Sequence, residues 1–272
     1  MTAIVFIGGG NMARALIGGQ VARGQAAAEF LAIDPSEAAR ARLTAATGAA
    51  TAGAVDERLG QAGIVVLAVK PQQMRAAARA LSPYLDGQLV LSIAAGIRVP
   101  DLARWLGGYR RIVRAMPNTP ALINAGISGL YADPAVDAAG RAAAQGILEA
   151  AGEVLWFEHE DALDAVTAVS GSGPAYVFYF LEALQVAAAE LGLPPEAARR
   201  LAYATFSGAM RLAEQSDNEA ASLRQQVTSK GGTTERALAT LETAHAAEHF
   251  RRAVAAAAER AREIGDALGA ED

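Results

Sequence analysis

Ala3-Ile4-Val5-Phe6-Ile7-Gly8-Gly9-Gly10-Asn11-Met12-Ala13 is the stretch that decides the fold. Residues 4–7 form an unbroken apolar run, as expected of a strand covered on both faces. The glycines predict a tight turn into a helix that continues to Gln20. From Gly8 to Ala13 the pattern is G-x-G-x-x-A. Gly8 makes the turn, Gly10 admits a pyrophosphate, and small Ala13 lets the helix approach the strand.

The alternation of strand and helix continues downstream. Strands are expected at residues 3–7, 30–33, 64–69, 89–93 and 111–115, with fainter signals at 129–131 and 154–157. Such β-branched runs separated by helical stretches predict a parallel sheet with crossover helices. After Glu158 the strand signals stop, and residues 161–169, 174–191, 195–214, 219–227 and 234–268 (with breaks) read as helix. The expected architecture is therefore α/β followed by all-α. A Rossmann-type doubly wound sheet would occupy residues 1–159 and a helical domain residues 160–272. The stretch 174–191 is apolar nearly all round, interrupted only by Glu182, Gln185 and Glu190. A helix of that kind needs cover on most sides, which a small helical domain supplies poorly alone. A homodimer interface is expected there.

Composition narrows the function classes. The formal charge is −5 with no basic stripe, so nucleic acid is not an expected partner. No apolar run is long enough to span a bilayer, and no basic n-region precedes the glycine turn, so neither membrane insertion nor a signal peptide is expected. The absence of cysteine excludes disulfides, thiolate chemistry and cysteine metal sites, and fits a cytoplasmic protein. Among 24 basic residues only Lys70 and Lys230 are lysines, and both fall in loops.

Several loops point to a dinucleotide. Asp34 ends the second strand, the usual place for a carboxylate that accepts from a ribose diol, which favours NAD. Ser36 could instead donate to a 2′-phosphate. Arg40 and Arg42 could supply charge, although they read more simply as a solvated helix face. Both cofactors fit this sequence. Ala68-Val69-Lys70-Pro71, Ser92-Ile93-Ala94-Ala95-Gly96 and Met116-Pro117-Asn118-Thr119-Pro120 each follow a strand, where ligands collect in open α/β sheets.

A second kind of site is written in Val227-Thr228-Ser229-Lys230-Gly231-Gly232-Thr233-Thr234, between two helical stretches. Its glycines allow several N–H groups to converge, and three hydroxyls and the next helix N-terminus add donors. Such a loop suits a small carboxylate. The plainer alternative is a helix C-cap, a turn and a threonine N-cap.

Four segments, residues 8–13, 68–71, 164–176 and 227–242, make the chain resemble the pyrroline-5-carboxylate reductase family. The resemblance implies reduction of 1-pyrroline-5-carboxylate to L-proline by NADPH, with NADH as an alternative donor. It also implies a helical dimerisation domain, with dimers sometimes assembling further. Carried over by position, it places Ile7, Gly8, Gly9, Gly10, Asn11, Met12, Ala68, Val69, Lys70, Pro71, Ala94, Ala95 and Gly96 at the cofactor, and Asn118 near the nicotinamide. Ser229, Gly231, Gly232, Thr233 and Thr234 would hold the substrate. Lys230 stands where the family commonly has proline, which changes the loop's rigidity and charge.

The chemistry implied is modest in its demands. A protonated cyclic imine accepts hydride directly, so positioning matters more than acid–base machinery. Thr234 is the candidate donor should the imine bind neutral. His245 and His249 read as an i, i+4 pair on one helix, but no H-E-x-x-H pattern accompanies them and no metal is expected. Two rivals are a β-hydroxyacid dehydrogenase and a non-catalytic dinucleotide sensor. The first needs a Lys or His base on the long helix 174–191, which has neither. The second would leave the anion loop without a purpose.

Overall fold

The computed structural model describes residues 4–270. Two compact units are present: one runs up to Ser172 and takes in Ala257 and beyond, the other is Gly173–Ala256.

The first unit is built on eight strands: β1 (Ile4–Ile7), β2 (Phe30–Ile33), β3 (Ala50–Ala52), β4 (Ile64–Leu67), β5 (Leu89–Ser92), β6 (Ile112–Met116), β7 (Gly126–Ala132) and β8 (Gly152–Trp156). Their order in the sheet is β3-β2-β1-β4-β5-β6-β7-β8. The order reverses between β1 and β4, the switch point at which open α/β sheets bind ligands. Helices α1 (Asn11–Ala22), α2 (Glu37–Thr47), α3 (Met74–Leu81), α4 (Val99–Trp105) and α5 (Ala138–Glu149) accompany these strands. Each face of the sheet has its own core. Phe6, Leu16, Ile17, Leu43, Ile147 and Leu148 fill one, and Val5, Leu67, Met74, Leu81, Leu102 and Trp105 the other. This is why the early strands are apolar on both sides, and why burial patterns such as that of β1 are unbroken.

Three features depart from the sequence reading. Strand β3 was not expected: Ala-Thr-Ala is short and no part of it is fully buried, so it carries little strand signal. Strand β7 is longer than expected and pairs antiparallel with β6, against the all-parallel expectation. The connection over residues 117–125 is too short for a parallel crossover. The expected helix 161–169 is instead α6 (Ala162–Val166) running into a π-helical turn, Thr167–Gly171. Part of the first expected strand, Ala3, lies outside the described residues.

Helices α7 (Gly173–Glu190), α8 (Pro195–Glu214), α9 (Ala220–Gln226), α10 (Thr233–Thr243) and α11 (Ala246–Ala270) complete the chain. Leu181 is the one buried residue on α7. Phe178 and Tyr179, 64% and 68% exposed, leave a large apolar surface on that helix. Tyr176, Phe180 and Phe250 pack edge-on or tilted, with ring centroids 5.6 and 5.7 Å apart for the two pairs that include Phe250. The break between α10 and α11 falls at His245, which has φ 52°. His245 and His249 therefore do not share a helix as expected. Among the described residues no cluster of three or more His, Asp or Glu side chains could hold a metal ion. No helix among them is long and apolar enough to cross a membrane.

Candidate active site

Strand register assembles the first half of the site. Ile7 pairs with both Ile33 and Leu67, and Leu67 with Ser92, so the carboxyl ends of β1, β2, β4 and β5 lie level. The loops that begin at Gly8, Asp34, Ala68 and Ile93 consequently leave the sheet along one edge. Gly8 has φ 106°, and a Cβ there would lie 2.6 Å from the Ala68 carbonyl oxygen, so only glycine fits between the two loops. Gly10 differs: a Cβ there would meet nothing within 4 Å. Gly10 is also the N-cap of α1, with no side-chain cap and no acidic residue in the first turn. The N–H groups of Asn11 and Met12 thus head a helix whose positive end is open to an anion. A pyrophosphate fits this arrangement. Ala13, 1% exposed, lets α1 sit close to the sheet.

Asp34 closes the other side of the glycine turn. Its Oδ2 accepts from the Gly9 N–H (2.8 Å) and its Oδ1 from the Ser36 N–H (2.8 Å). Each oxygen keeps a lone pair for a further donor. Ser36 caps α2, its oxygen accepting from the Ala39 N–H at 3.3 Å, which leaves its O–H free to donate. Arg40 corrects the reading as a solvated face. Its guanidinium is tied to the carbonyls of Asp34 (2.7 Å) and Pro35 (3.0 Å) and flanks Gly53. A fixed positive charge therefore lies over the β2–α2 turn. Arg42 is exposed as expected.

The remaining strand-end residues divide between surface and interior. Lys70 is exposed and precedes a single 3-10 turn that starts at Pro71. Ala68 and Val69 are half-buried, as is Ala95, whereas Ala94 and Gly96 are buried. Asn118 is 9% exposed. Its amide nitrogen donates to the Ser170 carbonyl (3.1 Å) and its amide oxygen accepts from the Ile127 N–H (3.0 Å). The Asn118 side chain thus ties the end of β6 to the start of β7 and to the π turn. Gly171 in that turn faces Met116, whose Cε would be 2.6 Å from a Cβ on the glycine. Sequence reading missed both the turn and this tie. Turns of this kind recur at functional sites.

In the helical unit, the loop 227–234 bridges α9 and α10. Gly231 has φ 72°, and Gly232, not a threonine, is the N-cap of α10, without a side-chain cap. The Gly232 N–H donates to the Ser229 carbonyl (3.0 Å). The Gly231 N–H donates to Glu235 Oε2 (2.7 Å), so a carboxylate already sits on one donor of the loop. The threonines divide sharply. Thr228, Thr240 and Thr243 turn their hydroxyls back to the carbonyl four residues earlier, at 2.6, 3.0 and 2.9 Å. Among the described residues, the hydroxyls of Ser229, Thr233 and Thr234 have no such bond. Ser229 and Thr233 are exposed and Thr234 half-buried.

Fold and site together define a dinucleotide-dependent oxidoreductase with a separate helical domain. The profile described as pyrroline-5-carboxylate reductase dimerisation matches residues 160–264, and one described as NADP oxidoreductase coenzyme F420-dependent matches residues 3–96. The pyrroline-5-carboxylate reductase of Pseudomonas aeruginosa is 45% identical over 267 residues, covering 98% of each chain. A solved pyrroline-5-carboxylate reductase from Coxiella burnetii superimposes with a TM-score of 0.89 at 41% identity, covering 97% of this chain and 99% of that one. The Plasmodium falciparum pyrroline carboxylate reductase, solved with NADP bound, gives 0.87 at 28% identity, with 97% and 98% covered. The chain belongs to the pyrroline-5-carboxylate reductase family.

Proposed function

We propose that this protein reduces 1-pyrroline-5-carboxylate to L-proline, the last step of proline biosynthesis, with NADPH as the preferred donor and NADH as a working substitute. The observation that carries the substrate reading is the set of uncommitted hydroxyls at Ser229, Thr233 and Thr234, beside the N-terminus of α10, whose Gly232 N-cap carries no side-chain hydrogen bond. Charge-assisted hydrogen bonds from these groups suit a single carboxylate. Gly231, at φ 72°, turns the chain between Ser229 and Thr233.

The bound dinucleotide would supply hydride to the imine carbon. Gly8, Gly9, Gly10, Asn11 and Met12 hold its pyrophosphate, with Ile7 beneath the turn. Ala68, Val69, Lys70, Pro71, Ala94, Ala95 and Gly96 line the adjoining strand ends, and Asn118 holds the β6 end in place. Asp34 accepts from the ribose. Ser36 and the tethered Arg40 supply a donor and a charge for a 2′-phosphate, which supports NADPH. Hydride addition to a protonated imine yields the neutral amine, which takes a proton from water. Thr234 therefore serves first as a carboxylate donor, and as a proton donor only to an imine that binds neutral.

The exposed apolar face of α7 and the neighbouring recess of about 430 Å³, lined by Tyr176, Tyr179, Phe180, His249 and Phe250, support a homodimer formed through the helical domain. The lack of cysteine supports a cytoplasmic setting. The direct test is oxidation of NADPH or NADH by purified protein supplied with pyrroline-5-carboxylate. Turnover with neither cofactor would overturn the reading.

A further inference from the structure

We propose that the last two turns of α11, residues 264–270, act as a positioning element for the dinucleotide by bracing the loop that holds Ala94, Ala95 and Gly96. This rests on the reading of that loop as a cofactor contact. The two backbones meet at Gly96 and Gly265. A Cβ on Gly96 would lie 3.1 Å from the Ile264 side chain, and one on Gly265 would lie 2.9 Å from the Gly96 carbonyl oxygen. Gly265 has no room for a side chain, and Gly96, at φ 79°, sits in tight contact with Ile264, so the helix rests directly on the loop.

Polar groups hold that approach from both sides. Arg98, two residues past Gly96, reaches Asp266 on the helix at 2.7 Å and Asp164 at 3.8 Å. Asp164 in turn lies 3.6 Å from Arg114, which is 2% exposed and bonded to Glu160 at 2.9 Å. Glu160 accepts from the Val99 N–H at 2.8 Å, returning the chain of contacts to the residue after Arg98. Farther along, Arg104 donates to the Gly269 carbonyl at 2.5 Å, and Leu268 packs on the core that contains Ala94 and Ile97. The loop is thus enclosed between β5 and α11. The effect of the helix is to keep the loop from moving away from a ligand.

The experiment is direct NADPH binding, followed by fluorescence, on the full-length protein. Gly265→Val must push Gly96 outward, and NADPH affinity is expected to fall about tenfold, the equivalent of about 1.4 kcal/mol. KM for NADPH should rise in step, while kcat at saturating NADPH and KM for the imine stay near wild type. A merely structural role would instead lower the active fraction and leave KM for NADPH alone. Ala95→Glu, which puts a negative charge in the loop itself, reports on the underlying reading. If Ala95→Glu weakens NADPH binding and Gly265→Val does not, the brace is disproved and the loop assignment stands. If neither changes affinity, the loop assignment fails and the brace with it. Should the valine variant not fold, Asp266→Ala releases only Arg98. It should weaken NADPH binding about two- to fivefold, the equivalent of one ion pair, with no change overturning the proposal.

Discussion

Asn118 and Ser170 are joined by a hydrogen bond from the Asn118 amide to the Ser170 carbonyl (3.1 Å), and the same amide accepts from the Ile127 N–H (3.0 Å). One side chain thus fastens the π turn to the end of β6. Asn118→Ala leaves two part-buried backbone groups without this partner. The expected loss is about 1–3 kcal/mol of stability, read as a lower urea midpoint. An unchanged midpoint would mean that water replaces the amide without cost.

Arg114 supports a stronger expectation. It is 2% exposed and faces two carboxylates, Glu160 and Asp164, that are 14% and 16% exposed. Arg114→Met leaves them close together without their cation, and removing one partner of a buried pair costs about 3–5 kcal/mol. Thermal unfolding should show a large drop in Tm. Adding Glu160→Gln should recover part of it by removing one of the stranded charges.

Cofactor choice turns on Asp34 and Arg40. Asp34→Ser should shift the ratio of kcat/KM toward NADPH by removing the ribose acceptor and a like charge. Arg40→Ala should shift it toward NADH, by roughly tenfold if one charge-assisted contact is lost. Steady-state kinetics with both cofactors decides this, and a ratio indifferent to both changes would remove these residues from the ribose site.

Thr234→Ala tests the carboxylate loop. Loss of a hydrogen bond to a charged group costs about 1.5–3 kcal/mol, or roughly ten- to a hundredfold in kcat/KM for pyrroline-5-carboxylate. NADPH affinity should be unaffected. A cyclic imine lacking the carboxylate should be nearly insensitive to the change. Equal losses on both imines would assign Thr234 to protonation or to loop structure.

The α7 surface carries the assembly prediction. Phe178→Glu combined with Tyr179→Glu places two charges on its most exposed apolar positions. Sedimentation should then show monomers where the wild type is dimeric. A dimer that persists at the same concentration would move the interface away from this face.

Much of this protein could be read directly from residues. Strand β2 lies where its apolar run predicts, and α8 spans the residues expected of it, because both signals are strictly local. The glycine turn was equally legible, since Gly8 and Gly10 act through the absence of a side chain. Less could be read where neighbours decide. Gly126 and Ser128 are poor strand formers, yet pairing with Gly152 and Val154 of β8 makes them part of β7. The role of Arg40 was also hidden, because a helix-face arginine looks the same in sequence whether solvated or folded back onto a turn.

By itself, then, the chain's sequence determined the alternation of strands and helices, the glycine turn after β1 and the hydroxyl-rich loop at 227–234. Each depends on residue type and spacing within a few positions. Tertiary structure alone decided the reversal of β7, the π turn held by Asn118, and the seating of Gly265 on Gly96. Those depend on groups distant in sequence whose close approach is governed by packing, for which an alanine-rich helix or a single glycine carries no local mark.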